Sequence, residues 1–378
     1  MSSCFKVFGA IAAITCLAVG GACSSNNIVR VTGGGHDDGG AGDDGGLGDG
    51  GAGDGGSGKD GAVVGPIPLT ANVKIIAEPN GNNASELVAA INAATKSVHV
   101  IMYLFSSTAV ENALVAKKNA GLDVKVMLNR TFPAGGSNAG IYASLQSSGV
   151  SVQYAPVNLT HEKCVIIDGA VAWIMTMNTT TSAPSSNREY LAIDKDADDV
   201  AEAEAIFEAD WANMPPTTVT GKLLVAPINA KERLLGLVNS ATSTIDIEGE
   251  EFSDTQITEA IAARADTGVK VRLVVSSATP TASQSGAIGY LKMHGGAKAV
   301  STSNPTIHAK AIVVDGKAVY VGSANFTTGS LSYNRELGII TGAASEVSVV
   351  ANAIQQDFAR HPAVGNRIIH AVHGAEEG

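Results

Sequence analysis

Cysteine is scarce in this 378-residue chain, with only four. Cys4, Cys16 and Cys23 crowd the first 23 positions and Cys164 stands alone in the remainder, which excludes a disulfide framework. Cys164 precedes Val165, Ile166 and Ile167, so it reads as a buried, inert thiol. No Cys/His spacing of a metal site occurs, and neither a metal nor a cofactor is expected. A bilayer-spanning apolar run is also missing; the stretch at residues 7–19 is too short to cross comfortably. Positive charge is not in excess either. The net charge of −11 gives no long-range pull on nucleic acid, which leaves a local basic cleft as the route to such a partner. What the chain does have is 45% apolar residues, ample for a sizeable core, and a length that suits two domains or one large one.

Lys6 precedes the apolar stretch and small residues follow it, the layout of an export signal over residues 1–23. Gly20-Gly21-Ala22-Cys23 resembles the lipobox of bacterial lipoproteins, in which the cysteine is lipidated and becomes the first residue of the mature chain. Gly20 stands where leucine is usual, and the alternative is an ordinary cleaved signal. Both readings take the protein out of the cytoplasm; the first makes it a bacterial lipoprotein anchored at a periplasmic or cell-surface membrane face. Residues 24–66 are dominated by Gly and Asp, with seven aspartates from Asp37 to Asp60 against Lys59, and are expected to form a disordered, self-repelling tether.

Beyond the tether the sequence repeats itself. Phe105 and Phe252, Gly121 and Gly268, His161 and His308, Asn178 and Asn325, Glu189 and Glu336, and Asp210 and Asp357 are all 147 positions apart. In the first copy Ser85 is placed to cap a helix with Leu87, Val88, Ile91 and Ala94 on one face. A strand follows (98–105, or 245–252 in the second copy), then a helix closing near Gly121 or Gly268, then a β-branched strand (124–128 or 271–275). This alternation predicts an α/β fold of two similar α-β-α sandwich lobes with mixed sheets, at 67–215 and 216–363, with a tail at 364–378. A pseudo-twofold axis would relate the lobes, giving a monomer that is its own internal dimer.

The chemistry-bearing residues recur at the same offset. His161-Glu162-Lys163 and His308-Ala309-Lys310 each open an apolar strand that ends in Asp-Gly, at Asp168 and Asp315. Histidine and lysine two apart on a strand share a face, which sets a titratable imidazole beside a fixed positive charge, a pairing suited to an anionic phosphate. Asp168 and Asp315 are out of phase with that face and read as turn residues. Each following strand ends in small polar residues, Thr176 and Asn178 or Ser323 and Asn325, whose hydroxyl and amide groups can bind phosphate oxygens. Asn187-Arg188-Glu189 and Asn334-Arg335-Glu336 come next, where a carboxylate can hold an imidazole by its second nitrogen. The bland alternative makes each of these an ordinary turn or a surface ion pair, but in-register duplication of the whole set argues against it.

Two His-x-Lys-x4-Asp elements, each followed by a polar strand end and Asn-x-Glu, resemble the signature of the phospholipase D superfamily, over roughly residues 72–360. The resemblance implies a two-lobed α/β fold with one metal-free site between the lobes. It implies His161 as the nucleophile that forms a phosphohistidine, and His308 as the acid that protonates the leaving alcohol and then activates water or an acceptor alcohol. Lys163, Lys310, Asn178 and Asn325 would hold the phosphate, and Glu189 and Glu336 would orient the histidines.

The first copy departs from the pattern, with Met175 and Thr176 where Gly322 and Ser323 stand in the second; methionine is expected to add bulk where backbone approaches phosphate. Glu248, Glu250 and Glu251 align with Ile101, Tyr103 and Leu104, and are expected either to meet a cationic head group or to line a solvated strand edge. The leading expectation is a phospholipase D-type hydrolase that releases phospholipid head groups. The alternatives are a nuclease acting on DNA or RNA, a phosphatidyltransferase of the cardiolipin synthase kind, and a non-catalytic lipoprotein that binds phosphate esters. If the lipobox reading holds, Cys23→Ser moves the protein from the membrane fraction to the soluble one, and unchanged fractionation rules out lipidation there.

Overall fold

Two runs of alternating strands and helices fill residues 67–360 of the computed structural model, which describes that span except for 131, 133–136 and 278–280. The expected signal, Cys23, tether and C-terminal tail therefore lie outside the described residues. The first run is β1 (Val73–Glu78), α1 (Ser85–Ala93), β2 (Ser97–Met102), α2 (Thr108–Asn119), β3 (Asp123–Leu128), α3 (Ala139–Ser147), β4 (Ser151–Tyr154), β5 (Lys163–Ile167), β6 (Val171–Met175), α4 (Ala183–Ser186), β7 (Asn187–Asp194) and α5 (Ala197–Trp211). The second is β8 (Leu224–Ala226), α6 (Ala230–Asn239), β9 (Thr244–Gly249), α7 (Thr255–Asp266), β10 (Lys270–Ser276), α8 (Ala282–Lys292), β11 (Lys298–Thr302), β12 (Thr306–Ile307), β13 (Lys310–Val314), β14 (Ala318–Gly322), α9 (Thr328–Ser332), β15 (Glu336–Thr341) and α10 (Ala344–Arg360). No helix among the described residues is long and apolar enough to cross a membrane.

Matched local signals produce matched elements. The Ser107 side chain accepts the Val110 N–H at the start of α2, and Asp254, its counterpart in the second lobe, accepts the Ile257 N–H at the start of α7. Gly121 and Gly268 follow those helices at φ +87° and +95°, a left-handed exit that a side chain would strain. Ser85 does not cap α1 as expected: it is the first helical residue, the N-cap is Ala84, and no side chain caps the helix. β2 and β9 stop at Met102 and Gly249, earlier than the sequence pattern suggests, because Phe105 and Phe252 leave the sheet to bridge Thr179 and Phe326.

The two sheets have the same strand order, β4-β3-β2-β5-β6-β7-β1 and β11-β10-β9-β13-β14-β15-β8. Three neighbouring strands in each are parallel and the rest antiparallel, so both sheets are mixed. Helices α1 and α2 cover the outer face of the first sheet over Leu87, Ile91, Leu114, Val165 and Met175; α6 and α7 do the same for the second over Leu237, Ile261, Ile312 and Tyr320. The inner faces, with α5 and α10, share one core that includes Ile166, Ile174, Phe207, Val313, Val321 and Ile354. Cys164 is buried in it. Each such side chain contributes about 1.5–3 kcal/mol when fully buried, so the shared core is what holds the lobes together.

Buried ion pairs fix how the lobes register. Arg188 donates from Nε and Nη2 to Asp357 in the other lobe at 2.6 and 3.2 Å, and Arg335 donates to Asp210 at 3.0 and 3.1 Å. These arginines are 7% and 2% exposed, which corrects the surface-ion-pair alternative. Beside them Ile307 pairs with Arg188 and Thr160 with Arg335, so the segment before each histidine lies along the other lobe's strand. Replacing Asp210 by alanine strands the Arg335 charge in the interior and is expected to cost about 3–5 kcal/mol in urea unfolding; a loss below ~1 kcal/mol would show that the crossed pairs are dispensable.

Candidate active site

The register of the lobes brings both histidines to the seam between them. The His161 N–H donates to the Arg335 carbonyl at 2.9 Å and the His308 N–H to the Arg188 carbonyl at 3.3 Å, so each imidazole is mounted on the opposite lobe's strand. The orienting carboxylates cross in the same way. His161 Nδ1 lies 3.1 Å from both Glu336 oxygens and 3.2 Å from the Ser323 carbonyl. His308 Nδ1 lies 2.8 Å from Glu189 Oε1. Since Nδ1 of His161 meets only acceptors, it carries the proton and leaves the Nε2 lone pair free to attack. His308 Nε2 has an acceptor and a donor at equal range, Glu250 Oε2 and Asn178 Nδ2, each at 3.5 Å. That surrounding supports either protonation state, as a group that gives and then takes a proton requires.

Burial acts strongly on His161. His161 is 9% exposed, and burial lowers its pKa below the ordinary histidine value even though Glu336 pulls the other way. Burial acts to raise Glu336 and Glu189, but the facing histidines and lysines hold both carboxyls below the usual range. Lys163 is pushed down to about 7 by burial and by Lys310. Its ammonium donates to the His161 carbonyl and lies 5.1 Å from the Tyr103 ring centre, and that ring packs edge-on to His161 at 4.6 Å. Lys310 donates to the His308 carbonyl and, at 2.6 Å, to Glu250.

Several expected phosphate ligands turn out to lie one layer behind. The Thr176 hydroxyl donates to Glu189 at 2.5 Å and accepts the Tyr190 N–H; Ser323 donates to Glu336 at 2.6 Å and accepts the Leu337 N–H. Both are fully buried, so they brace the glutamates and do not face a phosphate. Asn187 and Asn334 brace the same carboxylates at 3.2 and 3.3 Å. Ser330, which the sequence reading did not single out, also donates to Glu336, and its counterpart Ala183 cannot. Of the two amides, Asn178 reaches His308, while the Asn325 Nδ2 group faces Glu251 at 3.5 Å.

Asp168 and Asp315 are structural, in line with their turn reading. Asp168, at φ +59°, accepts the N–H groups of Thr95, Lys96 and Ser97; burial alone would raise its carboxyl, but those bonds hold it at about 2. Asp315 clamps Thr242, Ser243 and Thr244 identically. Met175 does not crowd the site. It alternates with Thr176 along the strand and is buried in the outer core of its lobe. At Gly322 a Cβ would meet Gly338 Cα at 2.6 Å and the Tyr320 hydroxyl at 2.7 Å, so the two positions reflect different outer packing. Glu248 is also corrected: it is fully buried, accepts the Tyr190 hydroxyl at 2.6 Å, and burial raises its carboxyl to about 8. Of the three carboxylates, Glu250 and Glu251 are part-exposed, and Glu250 lies 3.5 Å from His308 Nε2.

Crossed imidazole–carboxylate units thus join two mixed-sheet lobes at one seam. The chain belongs to the phospholipase D-like family: the family described as "Cardiolipin synthase, PLD-like domain" matches residues 87–211 and 234–361, one copy per lobe. Cardiolipin synthase of Listeria monocytogenes is 26% identical over 324 residues, covering 72% of this chain and 66% of its own length. Human mitochondrial cardiolipin hydrolase is 30% identical over 145 residues, covering 38% of this chain and 56% of that protein. Among solved structures, the phosphatidylserine synthase of Haemophilus influenzae shares the fold at TM-score 0.59 and 13% identity, over 76% of this chain and 86% of that one. The polyphosphate kinase of Porphyromonas gingivalis does so at TM-score 0.60 and 15% identity, over 76% and 47%.

With His161 as the attacking group, the acid limb of kcat/KM is expected below 6.5, the ordinary histidine value, because attack requires the unprotonated imidazole and burial lowers its pKa. Glu336→Gln removes the carboxylate that opposes this shift, so the limb moves further down while the rate falls by roughly 10³- to 10⁴-fold. A limb that stays or moves up would show that His161 is not the group titrating.

Proposed function

We propose that the protein transfers a phosphatidyl group from a phospholipid to an alcohol through a phosphohistidine. The observation that carries this reading is the inequivalence of the two imidazoles: His161 meets acceptors at Nδ1, which puts its lone pair on Nε2, while His308 Nε2 sits between Glu250 and Asn178. His161 Nε2 attacks phosphorus while the leaving alcohol takes the proton from His308 Nε2. An acceptor alcohol then returns a proton to His308 and attacks the phosphorus, and the P–N bond to His161 breaks. Lys163 and Lys310 supply the positive charge for the phosphate oxygens.

Water in place of the acceptor gives head-group hydrolysis, the reading the sequence puts first. Transfer is favoured because relatives named cardiolipin synthase align over 72% of the chain, whereas those named cardiolipin hydrolase align over 38% and 40%. Anchoring through Cys23 would keep such an enzyme beside its lipid. With EDTA present, the full chain incubated with phospholipid vesicles and a labelled alcohol is expected to yield labelled phospholipid, and neither His161→Ala nor His308→Ala to yield any. Phosphatidic acid as the sole product would leave hydrolysis in place of transfer, and cleavage of single-stranded DNA without any lipid turnover would sink the lipid reading.

A further inference from the structure

Near-symmetry makes one difference between the lobes conspicuous. Around His161 the strand exit carries Tyr103 and Leu104; around His308 the same two positions carry Glu250 and Glu251. One imidazole thus has an aromatic wall and the other a pair of carboxylates. Burial opposes ionisation of Glu250, but His308 and Lys310 hold its carboxyl well below the usual range. Burial and the neighbouring Glu250 raise that of Glu251.

The amides differ too. Asn178 Oδ1 accepts the Leu104 N–H at 3.3 Å, while Asn325 Oδ1 is buried with no donor among the described residues, on a residue only 7% exposed. Its Nδ2 is turned to Glu251, so the oxygen is the end left over. Asn325 Oδ1 is therefore an acceptor without a donor, set beside Glu251, which among the described residues meets only the Asn325 amide, and Glu250, which already accepts from Lys310. Their charge says which kind of donor fits. With Arg188 and Arg335 neutralised by Asp357 and Asp210, the carboxylates Glu189, Glu336, Glu250 and Glu251 equal in number Lys163, Lys310 and the two histidines, even when both imidazoles are protonated. A phosphodiester adds one more negative charge, so a substrate bearing its own cation restores the balance.

We propose that Glu250, Glu251 and Asn325 form the alcohol subsite beside His308, and that it selects an alcohol carrying a primary ammonium group. His308 serves both the leaving and the entering alcohol, so one subsite selects both. A primary ammonium answers the charge and donates N–H to the orphaned oxygen. A quaternary ammonium answers only the charge, and a neutral polyol only the hydrogen bonds. The inference rests on the transfer reading.

The test uses the full chain with vesicles of phosphatidylethanolamine, phosphatidylcholine or phosphatidylglycerol, and with bis(4-nitrophenyl) phosphate, which has no head group to recognise. Head-group release from phosphatidylethanolamine is expected to exceed the others by about tenfold or more in kcat/KM, the worth of a hydrogen bond to a charged group. Glu251→Gln, which is isosteric and makes no bond to Lys310, should bring that ratio close to one. Equal rates on the three lipids, or a Glu251→Gln variant with the wild-type ratio, overturn the subsite. Cleavage of the aryl diester that depends on His161, without any lipid preference, leaves the catalytic reading standing and removes only the subsite. Turnover of neither diester nor lipid overturns both.

Discussion

Each imidazole of the candidate site is held by a carboxylate that belongs to the other lobe, Glu336 on His161 and Glu189 on His308. Neither lobe has a complete site by itself, and everything else at the seam serves that exchange. Arg188 and Arg335 carry the carbonyls on which the histidines hang, and they in turn are locked to Asp357 and Asp210 across the seam. The shared inner core supplies the cohesion. Buried ion pairs add little net stability against a hydrophobic replacement, yet they tolerate only one register, and a carboxylate must meet Nδ1 within hydrogen-bond range to set the tautomer. Cohesion and register thus come from different interactions.

Symmetry and its breaking divide the residues by role. Where the copies agree, at Asp168 and Asp315, Ser107 and Asp254, Gly121 and Gly268, the reason is backbone: a turn to clamp, a helix to cap, a left-handed exit. Where they differ beside the imidazoles, at Tyr103 against Glu250 and Leu104 against Glu251, the difference alters the charge next to His308. Differences away from the seam are packing exchanges. Met175 against Gly322 is of that kind, because successive residues of a strand face opposite sides of the sheet.

The repeat was legible because a constant offset of 147 survives in the residues that chemistry and turns require, whatever happens to the rest. The histidine–lysine face, the structural aspartates and the mixed α/β architecture followed from that repeat and from strand periodicity. Thr176 and Ser323 were harder, since a hydroxyl at a strand end offers the same chemistry to a phosphate and to a carboxylate, and only the neighbouring strand decides which it meets. Glu248 read like Glu250 from sequence, two positions along one strand, yet one is fully buried against Tyr190 and the other reaches Lys310.

The sequence by itself determined which residues are duplicated, which faces of the strands carry them, and that one chain holds two copies of the histidine–lysine element, because these depend on residue type and spacing alone. The tertiary structure decided which glutamate serves which histidine, that the arginines are buried ties between lobes, and that Asn325 Oδ1, unlike Asn178 Oδ1, has no donor among the described residues. Those facts depend on how two sheets dock about their shared core, and residues more than a hundred positions apart meet there through packing that no local pattern encodes.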